Sequence, residues 1–189
     1  MLKLVLILLM TGAPLWAAKP ASGAQGKEFK TFSMDGYFSC EVPLKWQLEK
    51  KAEQERMGVF KIALAAPGGE KSPVTVYVSY FSKGNKYFKD YKDYVDSNSQ
   101  DDMAAATDKY SPVTNKALNK RKALEFDREE KRYLHPESKS DESVTLKEKF
   151  YVLPAKDGFF VMHFSAPKAV YLKHLPVFEH VARTFKGRP

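Results

Sequence analysis

Residues 144–167 read VTLKEKFYVLP, AKDG, FFVMHFSAP: two extended runs joined by a four-residue turn that ends in Asp157-Gly158. Asp-Gly between two strand-like runs is a strong short-range hairpin signal. The second run is bulky on both sides, with Phe159, Val161 and His163 alternating against Phe160, Met162 and Phe164. A strand apolar on both faces is normally central and covered on both sides. This hairpin therefore asks for a sheet with a layer above it and a layer below.

The flanking sequence supplies more strands. In 36–42, Phe38, Cys40 and Val42 alternate with Tyr37, Ser39 and Glu41, which is the period of a strand ended by Pro43. Trp46 opens a short extended run, WQLEK. Residues 57–65 and 73–82 form a second hairpin around the turn-forming APGGEKS. From 112 to 134 the pattern gives a short strand, a turn near Asn119 to Arg121, and a long strand from Lys122 with a charged far end. HPESKSDES, 135–143, has turn composition.

Two stretches have helical spacing instead. In GNKYFKDYKDYVDSNSQ, 84–100, the residues Tyr87, Phe88, Tyr91, Tyr94 and Val95 fall on one helical face that docks on the sheet. At the end of the chain, Leu172, Leu175, Phe178, Ala182 and Phe185 follow the same period. Pro176 suits the first turn of a renewed helix, and Gly187 and Pro189 suit its end. Strands outnumber helices and hairpins dominate, so the fold class is α+β: an antiparallel sheet of about six strands sandwiched by helices.

The first residues belong to a different regime. Lys3 precedes an apolar run over 4–18, and the small residues Ala21 to Ala24 follow, as in a secretory signal peptide. Cleavage after Ala24, or alternatively after Ala17, fits that pattern, and the run is short for a spanning helix. The expected organisation is a signal peptide over 1–24 and one domain over 25–189, placed in the periplasm or outside the cell. Loss of Lys3 and Lys19 lowers the formal charge from +8 to +6. With 43% hydrophobic residues the chain fills a core and is not a disordered tail. An exported domain without a recognisable motif is a poor nucleic-acid binder.

Asp35-Gly36-Tyr37-Phe38, then Val42-Pro43 and Trp46, together with the closing run Val177 to Lys186, resemble the PsbP-like superfamily. The resemblance spans nearly the whole domain. It implies an α/β/α sandwich around a six- or seven-stranded antiparallel sheet, and a protein that binds or assembles partners rather than an enzyme.

Catalytic motifs are absent from the sequence: it contains no GxSxG, P-loop, GxGxxG, HExxH or EF-hand spacing. His135, His163, His174 and His180 are scattered, and His163 reads as a hydrogen-bonded core residue on its strand. Asp101-Asp102 is a weak calcium candidate that lacks a third ligand. Cys40 is a lone thiol in a strand, expected to be buried and inert. No cofactor or metal is expected. Over 127–132 opposite charges pair across strands and blunt a sheet edge. The same segment, through Arg128, Glu130 and Arg132 and with Lys120, Arg121 and Lys122 as its basic shoulder, supplies the candidate partner surface. The functional expectation is an exported, non-enzymatic binding or assembly module of the cell envelope. Its partner would be a protein or envelope component, with peripheral contact to anionic membrane as a weaker idea. The alternative, a hydrolase or metal-dependent enzyme, requires at least two of His163, His174, His180, Asp101, Asp102 and the tyrosines to converge.

Overall fold

The computed structural model describes residues 28–68, 72–101 and 103–188. The expected signal peptide, the linker after it, and Asp102 lie outside the described residues. Eleven strands are assigned: β1 (Phe29–Met34), β2 (Phe38–Pro43), β3 (Gln47–Lys50), β4 (Val59–Ala65), β5 (Thr75–Ser82), β6 (Lys109–Tyr110), β7 (Thr114–Leu118), β8 (Arg121–Tyr133), β9 (Ser143–Ala155), β10 (Gly158–Pro167) and β11 (Lys186–Gly187). Among the described residues, two α-helices, α1 (Tyr91–Ser99) and α2 (Tyr171–Thr184), and one 3-10 helix, Ala52–Met57, accompany them.

β10 is central, as its two apolar faces require. It pairs antiparallel with β5 on one side and with β9 on the other. The sheet runs β3-β4-β5-β10-β9-β8-β6, and β7 also pairs with β8. That makes eight strands, more than the six or so expected. β6, which has no alternating pattern to betray it, is the strand of this sheet that the sequence did not offer, whereas β7 is the short strand expected after residue 112. A second sheet, β1-β2-β11, stands apart from the first. The first strand-like stretch therefore belongs to a separate layer and not to the main sheet.

One face of the large sheet packs against the small sheet and α2. Phe160, Met162 and Phe164 from β10 meet Phe38, Cys40 and Val42 from β2 and Phe178, Val181 and Ala182 from α2. Fully burying one such side chain contributes about 1.5–3 kcal/mol. The opposite face carries Phe81, Phe126, Phe150, Phe159 and Val161, over which α1 lays Tyr94 and Val95.

Local chemistry sets the turns. Gly158 has φ +146°, and a Cβ there would stand 2.0 Å from the Phe81 carbonyl oxygen, so the Asp-Gly turn admits only glycine. Asn119 and Lys120 both have positive φ, the requirement of a two-residue type I′ hairpin.

Both helices differ from expectation. Asn85 Oδ1 accepts the backbone N–H groups of Tyr87 and Phe88, at 3.0 and 2.9 Å. The chain therefore loops until Asp90, whose carboxylate caps Lys92 and Asp93 and starts α1. Tyr87 is 48% exposed, outside the helical face predicted for it. In α2, Pro176 lies inside one continuous helix, where it cannot donate to the Leu172 carbonyl. Leu172 is 77% exposed and is not a core residue. Gly187 is no helix cap: it sits in β11, opposite Phe38. Nor do the charges of 127–132 line a bare edge, since β6 covers part of β8 there and Asp127, Arg128 and Glu129 stand opposite Lys149, Glu148 and Lys147.

Candidate functional site

On the face that carries α1, side chains from successive strands form transverse rows. One row is aromatic: Tyr77 on β5, His163 on β10, Phe150 on β9 and Phe126 on β8 stand opposite one another in register. Their rings stack at centroid distances of 5.5, 4.2 and 4.6 Å. A second row, Ser165, Glu148 and Arg128, runs beside it.

Glu148 is a buried carboxylate, 2% exposed. Its Oε1 lies 2.9 Å from His163 Nε2, and its Oε2 accepts from Arg128 Nε. Arg128 also reaches Glu130, at 3.3 Å, and lies over the Phe150 ring. Burial pushes the Glu148 carboxyl up, but His163 and Arg128 outweigh it and hold the group well below the usual carboxylate range. Burial pushes His163 down, against the pull of Glu148. The ring is thus neutral near pH 7 and donates Nε2–H to an ionised carboxylate. Glu148 thus ties His163 and Arg128 together.

The next row over is different. Lys61 on β4 stands opposite Ser79 on β5, with Val161 beyond it. Lys61 Nζ lies 4.0 Å above the Tyr77 ring centroid, and among the described residues it has no carboxylate within ion-pair reach. Burial lowers its pKa and the charge of Lys51 adds to the effect, against the pull of Glu53. Ser79 is 3% exposed, and among the described residues its hydroxyl has no hydrogen-bond partner. Both side chains line a hollow of about 250 Å³, closed by Gln54 from the 3-10 helix and by Phe88 and Tyr94. On the other side of His163 a second hollow of about 220 Å³ lies against Arg128, Arg132 and Glu148. Tyr77 and His163 line both.

No protein-family model matches this chain, and no curated protein does. Solved structures match its fold. A crystal structure from Bacteroides thetaiotaomicron VPI-5482 superposes with a TM-score of 0.54 at 15% identity, over 86% of this chain and 49% of that one. This chain therefore spans about half the length of that protein. The crystal structure of a protein of unknown function from Pseudomonas aeruginosa gives a TM-score of 0.51 at 15% identity, over 86% of this chain and 99% of the other. The solution structure of cyanobacterial PsbP from Synechocystis sp. PCC 6803 is also among the similar structures, with a TM-score of 0.47 at 9% identity, over 92% and 99% of the two chains. The likeness to these proteins is one of fold alone.

The residues expected to form a partner surface fall into two groups. Lys120 and Lys122 are exposed at the β7–β8 turn. Arg121 beside them is structural, donating to the carbonyls of Gly187 and Pro154 at 3.3 and 3.4 Å. Arg128, Glu130 and Arg132 start six residues further along β8, about 20 Å away. The histidines do not converge. His180 meets Glu41 Oε2 at 2.6 Å and stacks on Phe29, His174 packs edge-on to Trp46, and His135 lies near Glu142. Of the residues the enzyme alternative needs, His163 stacks on Tyr77, and Asp101 acts electrostatically on Tyr110. Asp101 caps the backbone N–H of Met103. Among the described residues, no group of three or more His, Cys, Asp or Glu side chains could hold a metal ion, and no helix is long and apolar enough to cross a membrane. Cys40 is 2% exposed, and burial pushes its thiol up to about 12.

Lys61 and Ser79 escaped the sequence-based expectation. The available signal was Lys61 itself, the one charge in VFKIALA.

Proposed function

We propose that this protein is an exported, non-enzymatic binding module of the cell envelope that takes its ligand on the open part of the large sheet, between Lys61 and His163. The observation that carries this reading is Lys61: a half-buried ammonium that faces a hollow and has no acidic partner among the described residues. Burying an unpaired charge costs free energy that a ligand's negative charge offsets. The signal-like start of the sequence supports export.

A hydrolase or metal-dependent enzyme is the second reading, and it rests on His163 lying beside Tyr77 and Glu148. Against it, the imidazole is stacked between Phe150 and Tyr77 and its Nε2 is held by Glu148. That arrangement suits a scaffold better than a proton carrier.

The test places a photo-crosslinking residue at Tyr77, or at Lys122 as a control, in the chain from residue 25 onward. The protein is then exposed to the native envelope fraction. An adduct specific to the Tyr77 position, lost when Lys61→Glu is added, supports the reading. Equal adducts at both positions, or none, overturn it. Turnover of generic ester or phosphate substrates that disappears in His163→Ala would overturn its non-enzymatic part.

A further inference from the structure

We propose that the hollow beside Lys61 binds a small apolar monocarboxylate, with the carboxylate on Lys61 Nζ and Ser79 Oγ and the apolar part against Phe88 and Tyr94. The proposal rests on the reading that this part of the sheet is the binding face, and it names the chemical class of the ligand.

The charge count selects the head group. Among the described residues, four cationic side chains stand around this part of the face, and three are already committed or lie elsewhere. Lys51 is paired with Glu49 at 2.6 Å, Arg128 is held by Glu148, and Arg132 borders the other hollow, beyond His163. Lys61 is left without an ion-pair partner among the described residues, and Glu53 acts on it only from beyond ion-pair reach. A singly charged carboxylate balances it, whereas a phosphate, carrying close to two charges near neutral pH, would bring surplus negative charge toward Glu148. A charge-assisted bond from an ammonium to a carboxylate is also stronger than a neutral one. The Ser79 hydroxyl is a second donor. It lies directly opposite Lys61 in register, is nearly buried, and has no other partner among the described residues.

The walls select the rest of the ligand. Away from Lys61 the hollow is lined by Val161, Phe81, Phe88 and Tyr94. Phe88 and Tyr94 pack edge-on to each other at 4.8 Å, so the wall is preformed. A volume of about 250 Å³ lies just under the roughly 300–1,000 Å³ of sites for drug-sized ligands. An arylacetate or a branched aliphatic acid is of suitable size and polarity.

The test is calorimetric titration of the folded domain with phenylacetate, with phenylacetamide as the neutral isostere and inorganic phosphate as the competing anion. Phenylacetate is expected to bind, phenylacetamide and phosphate to bind about tenfold more weakly or not at all, and Ser79→Ala to weaken phenylacetate several-fold. Lys61→Met should remove the binding and leave the unliganded domain at least as stable as wild type, because the substitution deletes an unpaired half-buried charge. That stability readout separates loss of the site from loss of the fold. Equal affinity for acid and amide, preference for phosphate, or unchanged binding by Lys61→Met would overturn the proposal. If phenylacetate and isobutyrate both fail to bind at millimolar concentration while the Tyr77 crosslink persists, the ligand class is wrong and the binding face stands. If the crosslink fails as well, both fall.

Discussion

Glu148→Gln tests whether the row of Ser165, Glu148 and Arg128 is a buried ion pair or a surface one. The carboxylate is 2% exposed, and the substitution keeps its shape while deleting its charge. His163 keeps an acceptor in the amide oxygen. Arg128, whose side chain is 18% exposed, loses its nearer counter-charge and keeps Glu130 at 3.3 Å. Removing one partner of a fully buried pair costs about 3–5 kcal/mol. The residual exposure of Arg128 and its second carboxylate reduce that to about 2 kcal/mol. For a domain of this size such a loss lowers the melting midpoint by about 4–8 °C. Thermal and urea unfolding at pH 7, followed by circular dichroism, measure it. The double variant Arg128→Met/Glu148→Met, which removes both charges, should recover most of the loss. A midpoint for Glu148→Gln within about 1 °C of wild type, or a double variant worse than the single one, would refute the buried-pair account.

The same cluster predicts acid sensitivity. The folded His163 titrates below its unfolded value of about 6.5, so between the two the unfolded chain takes a proton that the native one refuses. Stability should therefore fall as pH drops below about 6.5, with a further loss below the ordinary carboxylate range from Glu148, and His163→Phe should remove the upper limb of a urea-unfolding pH series. Cys40→Ala should cost about 1 kcal/mol by deleting one buried sulfur. The native thiol, pushed up to about 12, should react with a maleimide far more slowly than the unfolded chain, and rapid labelling would contradict its burial. Gly187→Ala would put a Cβ 2.7 Å from the Phe160 ring and from the Arg121 guanidinium, and should cost about 1–3 kcal/mol in denaturant melts.

Much of the architecture was legible in the residues. FFVMHFSAP announced a central strand through bulky side chains on both faces, and β10 is paired on both sides. Phe38, Cys40 and Val42 announced a buried face through alternation, and all three are buried. Legibility failed where one residue's partner lies far along the chain. Nothing local distinguishes Gly187 as a strand residue from Gly187 as a helix cap; the difference is Phe38, which waits on β2. Tyr87 and Phe88 fit a helical period, but the Asn85 side chain competes for their N–H groups and delays the helix. The site follows the same rule. His163 stood out on its strand, whereas Glu148 and Arg128 become its neighbours only through the cross-strand register. Lys61 could be seen as a lone charge, but its lack of an ion-pair partner among the described residues is a property of three strands together.

The small sheet joins the two ends of the described chain. β11 pairs with β2, and the backbone N–H of Arg188 donates to the Tyr37 carbonyl at 2.8 Å. A loop that encloses nearly the whole domain closes late, because its closure entropy opposes it until the intervening structure has formed. Residues 186–188 thus act as a latch: until they are in place the small sheet lacks its third strand, and their pairing with β2 closes it over Phe38 and Phe160.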